Sequence, residues 1–289
     1  MKDGFLNVLK PPGMSSHDVV GAVRRILQIK KVGHAGTLDP GAAGVLPVAV
    51  GRAARLIEYL SAADKSYRAE VLFGIATDSG DDTGKIIIHE QDFVMPSKAA
   101  VIRALKVMTG EIVQIPPVYS AIKINGIRAC DLARKNIAVE IPSRKVQIHR
   151  AELLQMRENT ILMDVDCSKG TYIRSFCIDL GRELHLPAAM SFLVRTRVGD
   201  FSLEDACTLE ELENKKDAYL RAPDAFLSYI PAYYIADSRI KAFTNGLSTH
   251  DRDAHFSEGF LRVYGKEQFL GIARFDSAEQ CIVPEKVFA

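Results

Sequence analysis

The apolar positions of this chain change period along its length, and each change marks an element. After Lys10-Pro-Pro-Gly-Met-Ser-Ser16, the residues Val19, Val20, Val23, Ile26 and Leu27 fall on one helical face. Ser15 or Ser16 is placed to cap that helix, and Arg24 and Arg25 lie on its other face. Tyr67 to Phe73 reads as a strand leading into an acidic, turn-forming stretch, Thr77 to Gly84, from which Lys85 to His89 would return antiparallel. Residues 97–109 predict a packing helix capped by Ser97, with Val101, Ile102, Leu105 and Met108 on one face and Gly110 past its end. Two strands are expected between residues 139 and 167, the second alternating Ile161, Met163, Val165 and Cys167 with Asp164 and Asp166. Across Ser168 to Ser175 the period becomes helical, because Ile173, Phe176, Cys177, Leu180 and Leu184 have helical spacing. Thr171 is the expected cap there, with Tyr172 and Arg174 in the first turn. Beyond Pro223 the chain reads as short strands broken by Gly246, Gly259, Gly265 and Gly271. Together these elements predict an α+β fold: a mixed, mainly antiparallel sheet with flanking helices over residues 1–229, and a small β-rich domain over residues 230–289.

Composition narrows the classes without naming a function. A chain of 289 residues with 47% hydrophobic and 25% charged residues can bury a substantial core, which excludes disordered and fibrous proteins. No apolar run reaches the roughly 20 residues that span a bilayer. Met1 to Pro12 also lacks the apolar core and cleavage site of a signal peptide, so a cytoplasmic protein without a membrane partner is expected. The five cysteines show no C-x-x-C spacing and read as reduced, mostly buried thiols. The net charge of +1 hides an asymmetry: residues 1–60 carry eight Lys/Arg against four Asp/Glu, whereas residues 203–224 carry three against seven. A polyanion could dock on the basic part, although a merely solvated face would look the same.

The candidate chemistry lies in the run from His34 to Pro47. Gly36, Gly41, Gly44, Pro40 and Pro47 forbid a regular helix there, and Pro40 biases Asp39 toward an extended backbone. The nearest acids in sequence are Asp18 and Glu58, so neither a glycosidase pair nor a carboxylate metal cage is suggested. No second histidine stands at ligand spacing from His34, which argues against a metal. The chain also lacks a phosphate-cradling G-x-x-x-x-G-K-[ST], a G-x-G-x-x-G entering a helix and a G-x-S-x-G elbow. Carboxylate chemistry without a cofactor remains. Four segments join polar or aromatic groups to a strained or capped backbone: Lys10 to Ser16, Gly33 to Leu46, Lys65 to Ala69 and Lys169 to Ser175.

In order and spacing these segments resemble the bacterial TruB-type tRNA pseudouridine synthases. The resemblance rests on K-P-x-G-M-S-S at Lys10 to Ser16, G-H-x-G-x-L-D-P at Gly33 to Pro40 followed by G-V-L-P, and D-K-x-Y-R at Asp64 to Arg68. It continues through I-P-P-x-Y-S-A-x-K at Ile115 to Lys123, C-S-K-G-T-Y-I-R at Cys167 to Arg174, and L-x-R-T-x-V-G-x-F at Leu193 to Phe201. It implies the pseudouridine synthase fold with a small PUA-like C-terminal module that binds RNA. The implied activity is isomerisation of uridine 55 in the tRNA T-arm, with no cofactor, no metal and no obligatory protein partner, by a monomer. Asp39 is implied as the catalytic aspartate and Arg174 as the cation that orients it. Tyr67 is implied to stack on the base and to be the candidate acceptor of the carbon 5 proton. Lys10, Pro11, Gly36, Tyr172 and Leu193 match substrate-side positions, and His34 matches a residue associated with base flipping. Asp39 could attack ribose carbon 1 or abstract the 2-hydrogen, and the sequence leaves both routes open. The target must leave its RNA stack, and opening the tRNA elbow in this way could also assist tRNA folding. Two rivals are a guide-RNA-directed relative, whose members usually carry extra N-terminal and basic C-terminal sequence not seen here, and an RNA-binding protein with an idle pocket.

Overall fold

In a computed structural model of the protein, residues 3–288 are described apart from Ala121, Asn136, Ala138, Asp217, Arg252, Asp253 and Glu258. Ala121, within the Ile115 to Lys123 motif, therefore lies outside the described residues. A sheet of nine strands organises the first 202 residues: β1 (Gly4–Lys10), β2 (Val32–His34), β3 (Ala43–Val50), β4 (Lys65–Phe73), β5 (Gly110–Gln114), β6 (Arg144–Met156), β7 (Thr160–Cys167), β8 (Ala188–Val198) and β9 (Phe201–Ser202). Its order is β1-β3-β8-β4-β7-β6-β5, with β2 paired to β3 and β9 to β8. Every pairing is antiparallel except that of β8 with β3, where Val194 meets Ala43 and Arg195 meets Gly44. The mixed, mainly antiparallel sheet expected from the hydrophobic pattern is thus present.

Three helices, α1 (Ser16–Leu27), α2 (Lys98–Val107) and α3 (Ile173–Glu183), cover the sheet. Ser15 caps α1 in a reciprocal capping box with Asp18, and Val19, Val20 and Val23 are buried against β1 and β3. α2 and α3 pack on the face that presents Ile161, Met163, Val165 and Cys167, all fully buried. The opposite face of the same strands is polar, with Arg68 bidentate to Asp164 and Arg150 bridging Asp166 and Glu152. Three details differ from the sequence pattern. Ile102 points outward, half exposed, while Ala104 takes the buried place. The returning strand is Ile86–His89, paired with the short Ile75–Thr77 and not with β4. Thr171 does not cap α3, because its hydroxyl donates to the Ser168 carbonyl; Tyr172 is the cap residue, and its main chain is met by the side-chain amide of buried Gln114.

A second sheet of five strands follows: β10 (Ala232–Tyr234), β11 (Thr249–His250), β12 (Phe260–Gly265), β13 (Gln268–Asp276) and β14 (Cys281–Val287), in the order β10-β12-β13-β14-β11. A helix the pattern did not suggest, α4 (Asp237–Thr244), joins it through buried Phe243. Ile272, Phe288 and Phe260 meet Phe5, Tyr59 and Leu227 in one apolar cluster, which fastens this sheet to the first. No helix among the described residues is long and apolar enough to cross a membrane.

The parallel contact between β3 and β8 matters most for the site, because it brings the segment before β3 against Arg195. Gly44 makes this possible: its φ is +115°, and a Cβ there would lie 2.2 Å from the Arg195 carbonyl oxygen. Gly41, in the same loop, faces open space. Gly44→Ala is therefore expected to cost about 3 kcal/mol in urea unfolding, and Gly41→Ala less than about 1 kcal/mol. Equal effects of the two substitutions would contradict this account of the loop.

Candidate active site

The stretch between β2 and β3 carries Asp39 and has no ladder of its own, so its main-chain groups find partners elsewhere. Buried Ser16, at the start of α1, receives the Leu38 N–H at 2.9 Å and donates to the Leu38 carbonyl at 3.1 Å. The Pro40 carbonyl accepts from the Gly13 N–H at 2.8 Å and from the Lys10 ammonium at 3.2 Å. From the other side, Arg195 donates to the carbonyls of Gly36 at 3.1 Å, Thr37 at 3.2 Å and Val45 at 2.8 Å. An irregular segment is thereby given one shape, with Asp39 at its crest.

Arg174 meets that crest from the first turn of α3. Its Nε lies 2.9 Å from Asp39 Oδ2, while its Nη1 donates to the Ser79 carbonyl at 3.0 Å and its Nη2 to the Tyr119 carbonyl at 2.8 Å. Asp81 stands 3.8 Å away on the far side. The guanidinium is buried, whereas Asp39 keeps 39% of its side-chain surface open. A cation in the first turn of a helix is opposed by the helix dipole, and the two carboxylates compensate for that. The pair joins a fixed cation to a carboxylate that can still touch a substrate.

Asp39 and Arg174 open onto a cavity of about 260 Å³. Gly36, Tyr67, Tyr172 and Leu193 also line it, so the fold brings together six of the nine residues singled out in the sequence. Tyr67 and Leu193 come from the neighbouring strands β4 and β8, and both are buried. Burial pushes the Tyr67 phenol up, and the adjacent Arg195 guanidinium, directly across the strand pair, works against that rise. Tyr172 stands at the rim under the Arg144 guanidinium, 5.4 Å from its ring centre. Lys10, Pro11 and His34 do not line the cavity. The Lys10 ammonium is buried on the carbonyls of Pro11, Met14 and Pro40, and braces the loop from behind. His34 ends β2; its imidazole is held below the usual range by burial and by Arg195, and its Nδ1 is buried without a partner among the described residues.

Among the eight further residues that line the cavity are three buried polar ones that the motif reading did not single out as site residues: Lys65, Ser120 and Arg195. Lys65 shares a strand face with Tyr67, and its ammonium donates to the carbonyls of Ser61 at 3.3 Å and Ala63 at 2.5 Å. Ser120 is buried, its hydroxyl unpartnered among the described residues. The signal that could have found Lys65 and Arg195 is alternation: each stands two residues from a cavity residue on its own strand. Desolvation pulls Lys65 down to about 8, and Lys10 likewise, with Asp39 partly opposing it at Lys10.

Comparison with known proteins gives this arrangement its relatives. Residues 24–173 match the family model described as TruB family pseudouridylate synthase (N terminal domain), and residues 174–226 match the tRNA pseudouridylate synthase B C-terminal domain. The second stretch contains β8, at the centre of the main sheet, and the Asp39–Arg174 pair bridges the two stretches. Proteins named tRNA pseudouridine synthase B are similar over most of the chain. That of Heliobacterium mobile is 45% identical over 277 residues, 94% of this chain and 90% of its own. The one from Symbiobacterium thermophilum is 49% identical over 249 residues, 85% and 83% of the two chains, and that of Clostridioides difficile 43% over 290, 96% of each. Among solved structures, a Cbf5-Nop10-Gar1 complex is similar with a TM-score of 0.78 at 28% identity, covering 99% of this chain and 85% of that one. An H/ACA RNP bound to a substrate RNA containing 2'-deoxyuridine gives 0.76 at 26%, with the same coverage.

The buried lysines have a consequence for stability. An unfolded chain keeps their protons up to the ordinary value of 10.5, whereas the folded chain releases them near 8. The cost of burying the charge is therefore fully present below pH 8 and is relieved as pH rises above it. The buried thiols of Cys167 and Cys207, pushed up from 9.0 to about 11 by burial, and that of Cys177, also pushed up, act in the opposite sense above pH 9, and Tyr59, pushed up to about 12, does so above pH 10. Urea unfolding should show stability rising between pH 8 and pH 9, Lys65 contributing about 1 kcal/mol. In Lys65→Met the rise should be smaller by that amount, and an unchanged pH dependence in this variant would contradict the burial of a charged ammonium.

Proposed function

The chain belongs to the TruB family of pseudouridylate synthases, and from that premise we propose that it isomerises uridine 55 in the T-loop of tRNA to pseudouridine, acting on the T-arm of free tRNA as a cytoplasmic monomer. The observation that carries this reading is the Asp39–Arg174 pair at the edge of a cavity walled by an aromatic ring and a leucine. A flipped uracil loses its stacking partners, and Tyr67 and Leu193 offer an aromatic face and an apolar wall in their place. The sugar of that nucleotide then lies toward the open rim, where the Asp39 carboxylate is exposed.

The reaction breaks the bond from N1 to ribose carbon 1, turns the uracil, and joins carbon 5 to the same ribose carbon, with no redox change and no group lost. Asp39 serves either route, by attack on carbon 1 or by removal of the 2-hydrogen, and Arg174 directs its carboxylate without competing for the sugar. Tyr67 stacks on the base and is the candidate to receive the carbon 5 proton. His34, Lys10, Pro11, Gly36 and Tyr172 act on the RNA side, directly or by fixing the loop that meets it. Residues 1–229 are the catalytic domain in this reading, and residues 230–289 a PUA-like RNA-binding domain. Opening the tRNA elbow would also assist tRNA folding.

The stand-alone reading is supported by the bacterial relatives, which are 43–49% identical, against 26–28% for the two RNP proteins compared above. Unmodified tRNA transcript, incubated with the protein alone, should acquire a carbodiimide-dependent primer-extension stop in the T-loop. Asp39→Asn should fold and bind tRNA as the wild type does while losing about 10⁴-fold in rate. Absence of the T-loop stop with wild-type protein would overturn the assignment, and substantial product from Asp39→Asn would overturn the mechanism.

A further inference from the structure

The walls of the cavity hold more positive charge than their carboxylates match. Arg174 is balanced by Asp39 and Asp81. Lys65 and Arg195, which flank Tyr67 on β4 and β8, form no ion pair with a carboxylate among the described residues. Both side chains are buried, and their hydrogen-bond partners are main-chain carbonyls, with the Tyr67 hydroxyl beside Arg195. Carbonyl dipoles lower the cost of burying a cation but leave its net charge in place. Three cations thus stand against two carboxylates, and the two cations beside the ring against which the base would lie have no carboxylate partner of their own among the described residues.

Resting on the reading of the site as a uridine isomerase, we infer that Lys65 and Arg195 supply a fixed positive potential that stabilises the uracil while it is detached from the sugar. When the N1–carbon 1 bond breaks, its electron pair stays with the base, which becomes an anion spread over N1, O2, O4 and carbon 5. That charge is discharged when the pair at carbon 5 forms the bond to ribose carbon 1, as the Asp39 carboxylate departs or as carbon 2 of the glycal is protonated; the proton then lost from carbon 5 is balanced by one gained at N1. The anion arises whether Asp39 attacks carbon 1 or removes the 2-hydrogen. Between the two bonds the base must turn, so any hydrogen bond that fits O2 or O4 before rotation is lost during it. The field of a charge does not depend on such registry and acts throughout the turn. In a site closed to water, preorganised charge of this kind is worth far more than in solution. Lys65 is the direct element, since its side chain lines the cavity and its ammonium has two of its three donors occupied; Arg195 also fixes the loop and polarises Tyr67.

Lys65→Met and Lys65→Arg test this by the single-turnover rate of glycosidic transfer from N1 to carbon 5 in two tRNA transcripts, one with uridine and one with 5-fluorouridine at the target position; the fluorinated product, having no carbon 5 proton to lose, is scored as the carbon-5-linked nucleoside. Fluorine makes the departing base a more stable anion, which needs the protein's charge less. Lys65→Met is expected to slow the uridine substrate by about 10²-fold and the fluorinated one clearly less. Its tRNA dissociation constant should stay near wild type, its thermal midpoint at pH 7 should not fall because the variant no longer buries a charge, and Lys65→Arg should recover most of the rate. A wild-type rate in Lys65→Met, or the same loss on both bases, would overturn the inference. So would a loss confined to tRNA affinity and its salt dependence, which would make Lys65 a phosphate contact. These three outcomes leave the enzyme assignment standing, whereas wild-type protein that makes no pseudouridine would remove both.

Discussion

One ion pair connects the parts of this molecule that lie far apart in sequence. The Arg174 guanidinium touches the Asp39 carboxylate, the carbonyls of Ser79 and Tyr119, and the neighbourhood of Asp81. The loop before β3, the turn after β4 and the segment after β5 therefore meet at the start of α3. Each contact uses a different N–H of one planar group, so a shift of any segment would misalign the others. A lysine, with a point charge at the end of a flexible stem, could not fix all three directions at once. Asp39 gains its direction from this arrangement and its freedom to react from the surface that it leaves open.

The same logic recurs around the pair with cations that have no acid of their own. Lys10, Lys65 and Arg195 spend their donors on the carbonyls of Pro11, Met14 and Pro40, of Ser61 and Ala63, and of Gly36, Thr37 and Val45. Glycine and proline keep the Asp39 loop out of regular structure, which leaves carbonyls to which no strand or helix N–H donates. Lys10 satisfies the Pro40 carbonyl and Arg195 those of Gly36 and Thr37, so the loop is held without joining a ladder. The chemical consequence is a positive interior around a single exposed carboxylate, suited to a reaction in which the base departs with negative charge.

What could be read from the sequence was what local periodicity encodes. The Ser15 cap and valine face of α1, the buried alternation from Ile161 to Cys167, and the irregular setting of Asp39 all follow from residues close together in the chain. The motif resemblance added Arg174, Tyr67 and Leu193 as partners for Asp39, and the fold brings all four to one cavity. The missing parts are long-range. Gln114 meets the start of α3 from a position 58 residues away, so nothing near Thr171 announces that the cap comes from elsewhere. Arg195 reaches Gly36 across 159 residues, and an arginine inside an apolar strand reads locally as a surface charge. Ile102 continues a helical face in sequence, yet α2 turns Val101, Ala104 and Leu105 to the core and leaves Ile102 half exposed. α4 is short and weakly patterned among strands, which hid it.

The central claim is that Arg174 orients Asp39 rather than binding RNA, and the most direct measurement separates rate from affinity in Arg174→Ala and Arg174→Lys. If orientation is its role, both variants should bind unmodified tRNA close to wild type while single-turnover conversion falls by about 10²-fold or more, with lysine recovering little because it lacks the planar fork. A wild-type rate in either variant, or a loss carried by affinity alone, would contradict it.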